Sequence, residues 1–570
     1  LPKNKAEKYI FSSLIAVILF VIYIFSACPT VYLIDSGELA AVSYTLGIAH
    51  PTGYPLYTLI SYFFAHLPGE PVFNLNILSA LISICAAVFL YLLACNIIND
   101  RIAAIIPVII FALAPTVWRI SITNEVYPLT ALFCIMILFT LARLRTTKHL
   151  YLIMYLIGLS FTNHIIIFSL CVPVSVYLIL KYRPRINKVA IALGFALFAI
   201  TMYFYLMSRT HGGAAIAWGN TTDLQRLLWH ITGKQYRVWM FSSSVPELAG
   251  NLSRGIMILL RDFLYVLIIP VLMGFYYLFK NDKSRFWLLV SALLVNVLYV
   301  INYSIPDIES YYLPALIILI VASAYGVKMI KKYMKIYIVL PIALAFTILN
   351  YRACTLRNNT FAMDYSDAHF EQVGENALVI CTFWDIYAPS IYQKEINKKY
   401  ADIVIIDKEL LRRTWYIKYI EHEYPHFYNS VRPAIEDYLI ELYEFEYDRP
   451  YNARIIQNKY LHMLQAFVRS RIEQGVYLAM PAPDQDLGQI LPEYLRLPRG
   501  LVFKLAKDTA AYTAFDFIKL HINRPGIVND ARLSYNLSVT RNMVNNNIMY
   551  LKTLHKIEEA AQAQAWLKDF

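Results

Sequence analysis

Residues 9–29 read YIFSSLIAVILFVIYIFSACP, and residues 33–56 read LIDSGELAAVSYTLGIAHPTGYPL. The first stretch carries no charge and has the ~20 residues needed to cross a hydrocarbon layer about 30 Å thick. The second sets Asp35 and Glu38 at the mouth of that span and follows them with a His50-Pro51 turn. The first stretch therefore predicts a membrane helix, which is expected to act as the insertion signal. The second sets two acids at the edge of an apolar span, where charged groups are rare and call for an explanation.

The rest of the chain agrees with a membrane reading. Of 570 residues 58% are hydrophobic and only 16% charged, and the mean hydropathy is +0.48; a soluble domain has about 25% charge. The net charge of +12 does not indicate nucleic acid, because most basic residues outside the C-terminal region flank apolar runs. The seven cysteines show neither metal spacing nor a disulfide framework.

Apolar runs near 9–29, 72–98, 102–117, 127–143, 150–161, 164–180, 189–207, 256–280, 286–303, 311–328 and 336–351 predict about eleven spans. The fifth and sixth form a hairpin broken at Thr162-Asn163-His164. Lys3, Lys5 and Lys8 and the basic clusters at 143–148, 181–188, 280–285 and 328–335 mark the cytoplasmic side. The loops at 30–71, 118–126, 208–255 and 304–310 are then outside, and with them the polar region 352–570. The predicted domains are a transmembrane domain over 1–351 and an extracytoplasmic domain over 352–570. In the latter, ALVICTF (377–383) and ADIVIID (401–407) read as strands, and WYIKYIEHEY, 430–470 and the tail from about 528 as helices, giving a mixed α/β and helical domain.

Polar residues gather in the outside segments: Asp35, Glu38, His50 and Tyr54; Arg119, Asn124, Glu125 and Tyr127; Asn163 and His164; Trp218, Asn220, His230, Lys234, Gln235, Tyr236 and Arg237; and Asp307, Glu309, Tyr311 and Tyr312. Acids and bases on one face suggest a cavity at the outer leaflet. Each also has a plain structural reading. Asp35 and Glu38 fit a D-x-x-E capping box on the ELAAVSYTLG helix. His164 alone reads as a core histidine, and Tyr311-Tyr312 as an interfacial anchor. Lys234 and Arg237 fit the polar face of an amphipathic helix over 224–240.

The motifs LIDSGELAAVSYTLGIAHPTGYPL, TNEVYPL, GLSFTNH, WGNTTDLQRLLWHITGKQY and PDIESYYLP resemble the GT-C glycosyltransferases, which use polyprenyl-phosphate sugars. The chain is most similar there to bacterial membrane proteins related to the animal transmembrane O-mannosyltransferase that modifies plexin and MET-type receptors. ALVICTFWDIYAPSIYQ and ADIVIIDKELLRRTWYIK also resemble that group's extracytoplasmic domain. The likeness covers about 30–435. Where the wider class has adjacent acids, Ser36-Gly37 separates them here, so Asp35 and Glu38 both stand as candidates for the base.

The resemblance implies transfer of a sugar, mannose by expectation, from a polyprenyl phosphate to a hydroxyl of a secreted or membrane protein, with inversion and without a metal or other cofactor. It implies Asp35 as base, with Glu38 orienting the acceptor or sharing the acidic role, and His50 and Tyr54 lining the site. Lys234 and Arg237, then His164 and Arg119, are the expected phosphate ligands. Asn124, Glu125, Trp218 and Asn220 are expected sugar contacts, followed by Asp307 and Tyr311, with Asn163 and Tyr236 beside them. A bacterial inner membrane is the expected location. A transporter or flippase of lipid-linked sugars, a same-fold transferase acting on a lipid or glycan, and a non-enzymatic receptor are the alternatives. The oligomeric state is left open.

Overall fold

The apolar runs become helices because only a helix satisfies every backbone N–H and C=O inside its own segment when no water is available. The computed structural model describes residues 3–305, 307–371, 373–479, 484–490, 492–523 and 530–570. Among these, seven helices are long and apolar enough to span a bilayer: 7–26, 71–98, 165–182, 186–211, 283–301, 308–333 and 336–354. Each coincides with a predicted span, so the chain is a multi-pass helical membrane protein. Phe198, Leu272 and Leu340 on these and neighbouring helices are more than half exposed, as lipid-facing side chains are.

The other predicted spans form shorter helices for local reasons. The run at 102–117 divides into Ile105–Leu113 and Pro115–Ser121, because Pro115 lacks the N–H a continuing helix needs. The run at 256–280 divides into Val245–Asp262 and Ile268–Asn281, with Leu264 and Tyr265 in the left-handed region between them. The runs at 127–143 and 150–161 give Tyr127–Ala142 and Thr147–Phe161. The hairpin break falls at 162–164, as expected. The amphipathic helix predicted over 224–240 is also two pieces. Leu224–Ile231 is α-helical, Gly233 turns left-handed, and Lys234–Trp239 is a tighter 3₁₀ segment.

The C-terminal region holds a five-stranded sheet of β1 (Leu378–Cys381), β2 (Val404–Asp407), β3 (Val476–Ala479), β4 (Leu495–Arg499) and β5 (Val502–Ala506), in the order β2-β1-β3-β5-β4. β1 runs parallel to β2 and β3, and β5 antiparallel to β3 and β4. The two predicted strands are the parallel pair. The later three were not legible, since four or five residues including Pro498 give little alternation to read. The predicted helices are Thr414–Glu423, Pro425–Glu446 with Ala453–Arg471, and a tail starting at Ala531; residues 528 and 529 lie outside the described residues. All seven cysteines are free.

The two regions meet at the first loop. Helix Ser36–Thr45 packs on helix Trp384–Glu395. Gly37 makes this possible, because a Cβ there would lie 2.4 Å from the Ala388 carbonyl oxygen. The tail helix is pinned to the same place, where Tyr32 Oη donates to Asp530 Oδ2 at 2.6 Å.

Candidate active site

Asp35 opens helix Ser36–Thr45, yet its side chain caps nothing. Its Oδ1 instead accepts the indole N–H of Trp384 at 2.8 Å. The preceding residue, Ile34, has φ +65°, a conformation that costs a β-branched residue about 1–3 kcal/mol. Its N–H is held by Asp385 Oδ1 at 3.0 Å, while Asp385 Oδ2 accepts from Arg532 Nε at 2.5 Å and Asn536 Nδ2 at 2.7 Å. Asp385 is fully buried. The backbone that aims Asp35 is therefore fixed by the C-terminal region.

Glu38 is not a cap residue either. It is fully buried, and its carboxylate accepts both the backbone N–H of His50 at 2.8 Å and the ring Nδ1–H at 2.6 Å. The His50-Pro51-Thr52-Gly53 turn closes through Gly53 N–H to His50 O at 2.8 Å, with Gly53 at φ +85°. This turn brings His50 Nε2 to 3.6 Å from Asp35 Oδ2 and 2.8 Å from Tyr54 Oη. Tyr54 Oη donates to Pro51 O at 3.0 Å, which leaves its lone pair for the His50 Nε2–H. Burial lowers the His50 pKa, but the carboxylates of Glu38 and Asp35 outweigh it and push the value up to about 10. Burial lifts Asp35 above the ordinary carboxylate range, opposed by His50 and reinforced by Glu38.

Asp35 borders a cavity of about 390 Å³, within the ~300–1,000 Å³ usual for ligand sites. His50, Tyr54, Tyr127, Trp218, Tyr236, Asp307 and Tyr311 line it too, so four of the predicted outside segments converge. Trp218 lies 4.2 Å from Trp415 and 5.9 Å from Trp384 between ring centroids, and Tyr303 and Tyr311 pair edge to face at 5.4 Å. These rings offer flat apolar walls with polar rims. Burial, then the charge of Asp35, pushes Asp307 up to about 6.

The remaining predicted residues fall in three places. His164 sits behind Tyr54, ring to ring at 5.7 Å. Its Nδ1 accepts the Ile166 N–H at 3.1 Å, and burial followed by the His50 charge lowers its pKa to about 3. It is a neutral core ring, which does not suit a phosphate ligand. Asn124 and Asn163 are buried braces: Asn124 bonds Tyr57 Oη and Ser36 O, and Asn163 bonds Val126 O and Thr130. Arg119 and Glu125 line a side crevice that shares Asp307 with the cavity. Arg119 Nη2 donates to Ala353 O at 3.4 Å. Glu125 is held well above the ordinary range by burial, then by Asp35 and Asp307. Lys234 is away from the cavity wall, bonded to Glu446 O at 2.6 Å and Asp448 Oδ2 at 2.7 Å. Arg237 is exposed, and Asn220 sits in a turn at φ +44°; neither lines the cavity.

Residues that sequence reasoning left unassigned complete the wall: Trp384, Asp407, Glu409, Arg412, Arg413 and Arg532. Most follow the carboxyl ends of β1 and β2, the edge where parallel sheets bind ligands. The signal was present in the double arginine of ADIVIIDKELLRRTW, directly after a predicted strand. Asp35, Glu38 and His50 also place one ligand atom each within 4.8 Å of one another, which is close enough to hold a cation. A cation on His50 Nδ1 would have to displace the direct His50–Glu38 bond, and one on Nε2 the contact with Tyr54.

Residues 35–188 match the family model described as the protein O-mannosyl-transferase TMEM260 N-terminal domain. The chain is 25% identical over 265 residues to protein O-mannosyl-transferase tmem260 of Dictyostelium discoideum, covering 41% of this chain and 32% of the relative. It is 28% identical over 233 residues to protein O-mannosyl-transferase TMEM260 of Mus musculus, covering 38% and 33%. The match thus spans about a third of the length of each relative. ArnT from Cupriavidus metallidurans in the apo state superposes over 89% of this chain and 99% of its own, with a TM-score of 0.46 and 12% identity. Its form bound to undecaprenyl phosphate gives 0.42 and 11% over 90% and 99%. The motifs of the first loop therefore carry a real likeness to protein O-mannosyl-transferases.

Proposed function

We propose that this chain is a glycosyltransferase that moves mannose from a polyprenyl-phosphate donor to a Ser or Thr hydroxyl of an extracytoplasmic protein. The observation that carries the reading is Asp35, a carboxylate at the cavity wall whose two oxygens are addressed by Trp384 and His50 while a buried Glu38 backs the histidine. A hydroxyl becomes a competent nucleophile when a fixed carboxylate takes its proton. The acceptor oxygen bonds to the anomeric carbon as the bond to the phosphate oxygen breaks, and the lipid phosphate leaves with its electron pair. A single displacement of this kind inverts the anomeric centre.

Each neighbour has a role in that step. The lifted pKa of Asp35 brings it nearer the pH at which a base works best. Protonated His50 keeps Asp35 in reach and favours its charged form, and Glu38 holds His50 as the cation. Trp218, Tyr54, Tyr236 and Tyr311 present ring faces to the sugar, and the apolar helices hold the lipid tail. The reaction needs no metal in this reading. The C-terminal domain lies on the outer side of a bacterial inner membrane, over the cavity, and the names of the relatives support mannose and a protein acceptor. The test is transfer of label from polyprenyl-phosphate mannose to a pool of extracytoplasmic peptides by the purified chain. Wild type transfers; no transfer from any of several lipid-linked donors would sink the reading.

A further inference from the structure

The proposed reaction releases a phosphate monoester, so the cavity must hold a growing negative charge. Three arginines line it, Arg412, Arg413 and Arg532, and two are already neutralised. Arg532 bonds Asp385 at 2.5 Å. Arg412 bonds Asp486 at 2.8 Å and lies 3.5 Å from Glu409. Arg413 differs. Among the described residues no carboxylate lies within 4 Å of it, and its guanidinium makes one hydrogen bond, from Nη1 to the Arg412 carbonyl at 3.3 Å. Two acids act on it from farther off, and both are engaged elsewhere: Glu446 by Arg226 at 3.7 Å and Thr414 at 2.5 Å, and Glu409 by Lys408 at 2.9 Å and Arg412 at 3.5 Å.

We propose that Arg413 is the anion-binding residue of the cavity, holding the phosphate of a phosphate-monoester ligand, and that the C-terminal domain thereby supplies the cation that meets the leaving group. The proposal rests on the glycosyl-transfer reading for the identity of the lipid, and on geometry for the site. Arg413 is half-buried; a guanidinium withdrawn from water is costly unless an anion pairs with it, and planar donors suit phosphate oxygens. Burial lowers the pKa of Arg413, with Glu446, Tyr236, Tyr438 and Glu409 only partly offsetting this. The residue borders both the main cavity and an adjoining one of about 120 Å³, whose other cations, Arg226 and Lys234, are paired with Glu446 and Asp448. It follows β2 at the carboxyl edge of the sheet, where β1 delivers Trp384 to Asp35. One edge of one sheet thus steadies the base and presents the cation.

The expected phosphate ligands Lys234 and His164 do not meet these conditions. Lys234 is spent on Asp448 and the Glu446 carbonyl, and His164 is neutral.

Two measurements on the full-length chain in detergent test the assignment. In the first, phenylglyoxal modifies wild type with or without a short-chain polyprenyl monophosphate, the uncharged polyprenol of equal length, or inorganic phosphate, and peptide mass spectrometry reads Arg413. Slowing by the polyprenyl phosphate and not by the polyprenol supports the site with a lipid headgroup as its ligand. Equal slowing by inorganic phosphate supports it with free phosphate as the source. No slowing by either, or equal slowing by the polyprenol, overturns it. In the second, titration with polyprenyl monophosphate compares wild type with Arg413→Gln, Arg413→Lys and the exposed control Arg449→Gln. The assignment expects at least a tenfold weaker affinity for Gln, an intermediate loss for Lys and none for the control. Wild-type affinity in Arg413→Gln overturns it. Transfer by wild type with Arg413 unprotected would end this assignment and leave the reaction standing. Protection without transfer would do the reverse.

Discussion

The indole nitrogen of Trp384 lies 2.8 Å from Oδ1 of Asp35, across 349 residues of chain. One partner opens the first helix after the first span, and the other opens the first helix after β1. The carboxylate proposed as base is thus oriented by the C-terminal sheet domain. A hydrogen bond to a charged group contributes about 1.5–3 kcal/mol. Trp384→Phe keeps most of the ring packing and removes the donor. Its kcat should fall about 10–100-fold with a smaller change in KM, and its pH profile should shift. An unchanged kcat in steady-state transfer would separate Trp384 from the chemistry.

Gly37 should tolerate no side chain. The Cβ of Gly37→Ala would sit 2.4 Å from the Ala388 carbonyl oxygen, a rigid backbone atom. The helices must separate, which moves Trp384 away from Asp35. Limited proteolysis should then cut between the transmembrane and C-terminal regions faster than in wild type, and transfer should drop with it. Wild-type resistance to the protease would show that the contact has slack.

Asp385 should matter for stability more than its distance from the chemistry suggests. It is fully buried and pairs with Arg532 while holding the Ile34 N–H. Breaking a buried pair by removing one charge costs about 3–5 kcal/mol, so Asp385→Asn should lower the unfolding temperature clearly. The pair Lys234–Asp448, open to water on the Asp448 side with 76% exposed against 17% for Lys234, should contribute about 1 kcal/mol. Thermal unfolding of Asp385→Asn and Lys234→Ala side by side checks the ranking; a larger loss for Lys234→Ala would reverse it.

His50 sets a pH window. Its folded pKa is raised from 6.5 to about 10, so its contribution to stability is fully present below about pH 6.5 and is lost as pH rises through about 10. The unfolding temperature of wild type should fall across that window more steeply than that of His50→Gln. Parallel curves would mean that His50 is neutral in the folded chain.

Much of the fold was legible because apolar runs of ~20 residues have one outcome in a bilayer. Span lengths were less so, since Pro115 and the left-handed pair Leu264-Tyr265 cut two runs that hydropathy alone leaves whole. In the site, the first-loop acids and the His50 turn could be read, because they lie within a short stretch and their spacing is visible. What a capping box and a catalytic carboxylate share is sequence; only the contacts to His50 and Trp384 separate them. Lys234 and Arg237 have the right charges in the right loop, but Asp448 and the Glu446 carbonyl hold Lys234, and Arg237 points to the surface. Arg413 left a signal, as part of a double arginine directly after a predicted strand, but Trp384 was out of reach because a pairing across hundreds of residues leaves no local periodicity.

The role of metal can be settled alongside. Asp35, Glu38 and His50 are spaced to hold a cation, but in this account Glu38 hydrogen-bonds His50 and His50 lies against Asp35 as its counter-charge. Transfer should survive an excess of EDTA. Loss of activity restored by one divalent cation would make the three residues its ligands.

The central claim is that Asp35 takes the acceptor proton. The most direct measurement is the rate of mannose transfer from polyprenyl-phosphate mannose to acceptor peptide by wild type and Asp35→Asn, each shown to be folded by its unfolding profile. The account predicts a loss of about 10²–10⁴-fold in kcat for Asp35→Asn, with donor binding retained. Transfer by folded Asp35→Asn at the wild-type rate would contradict it.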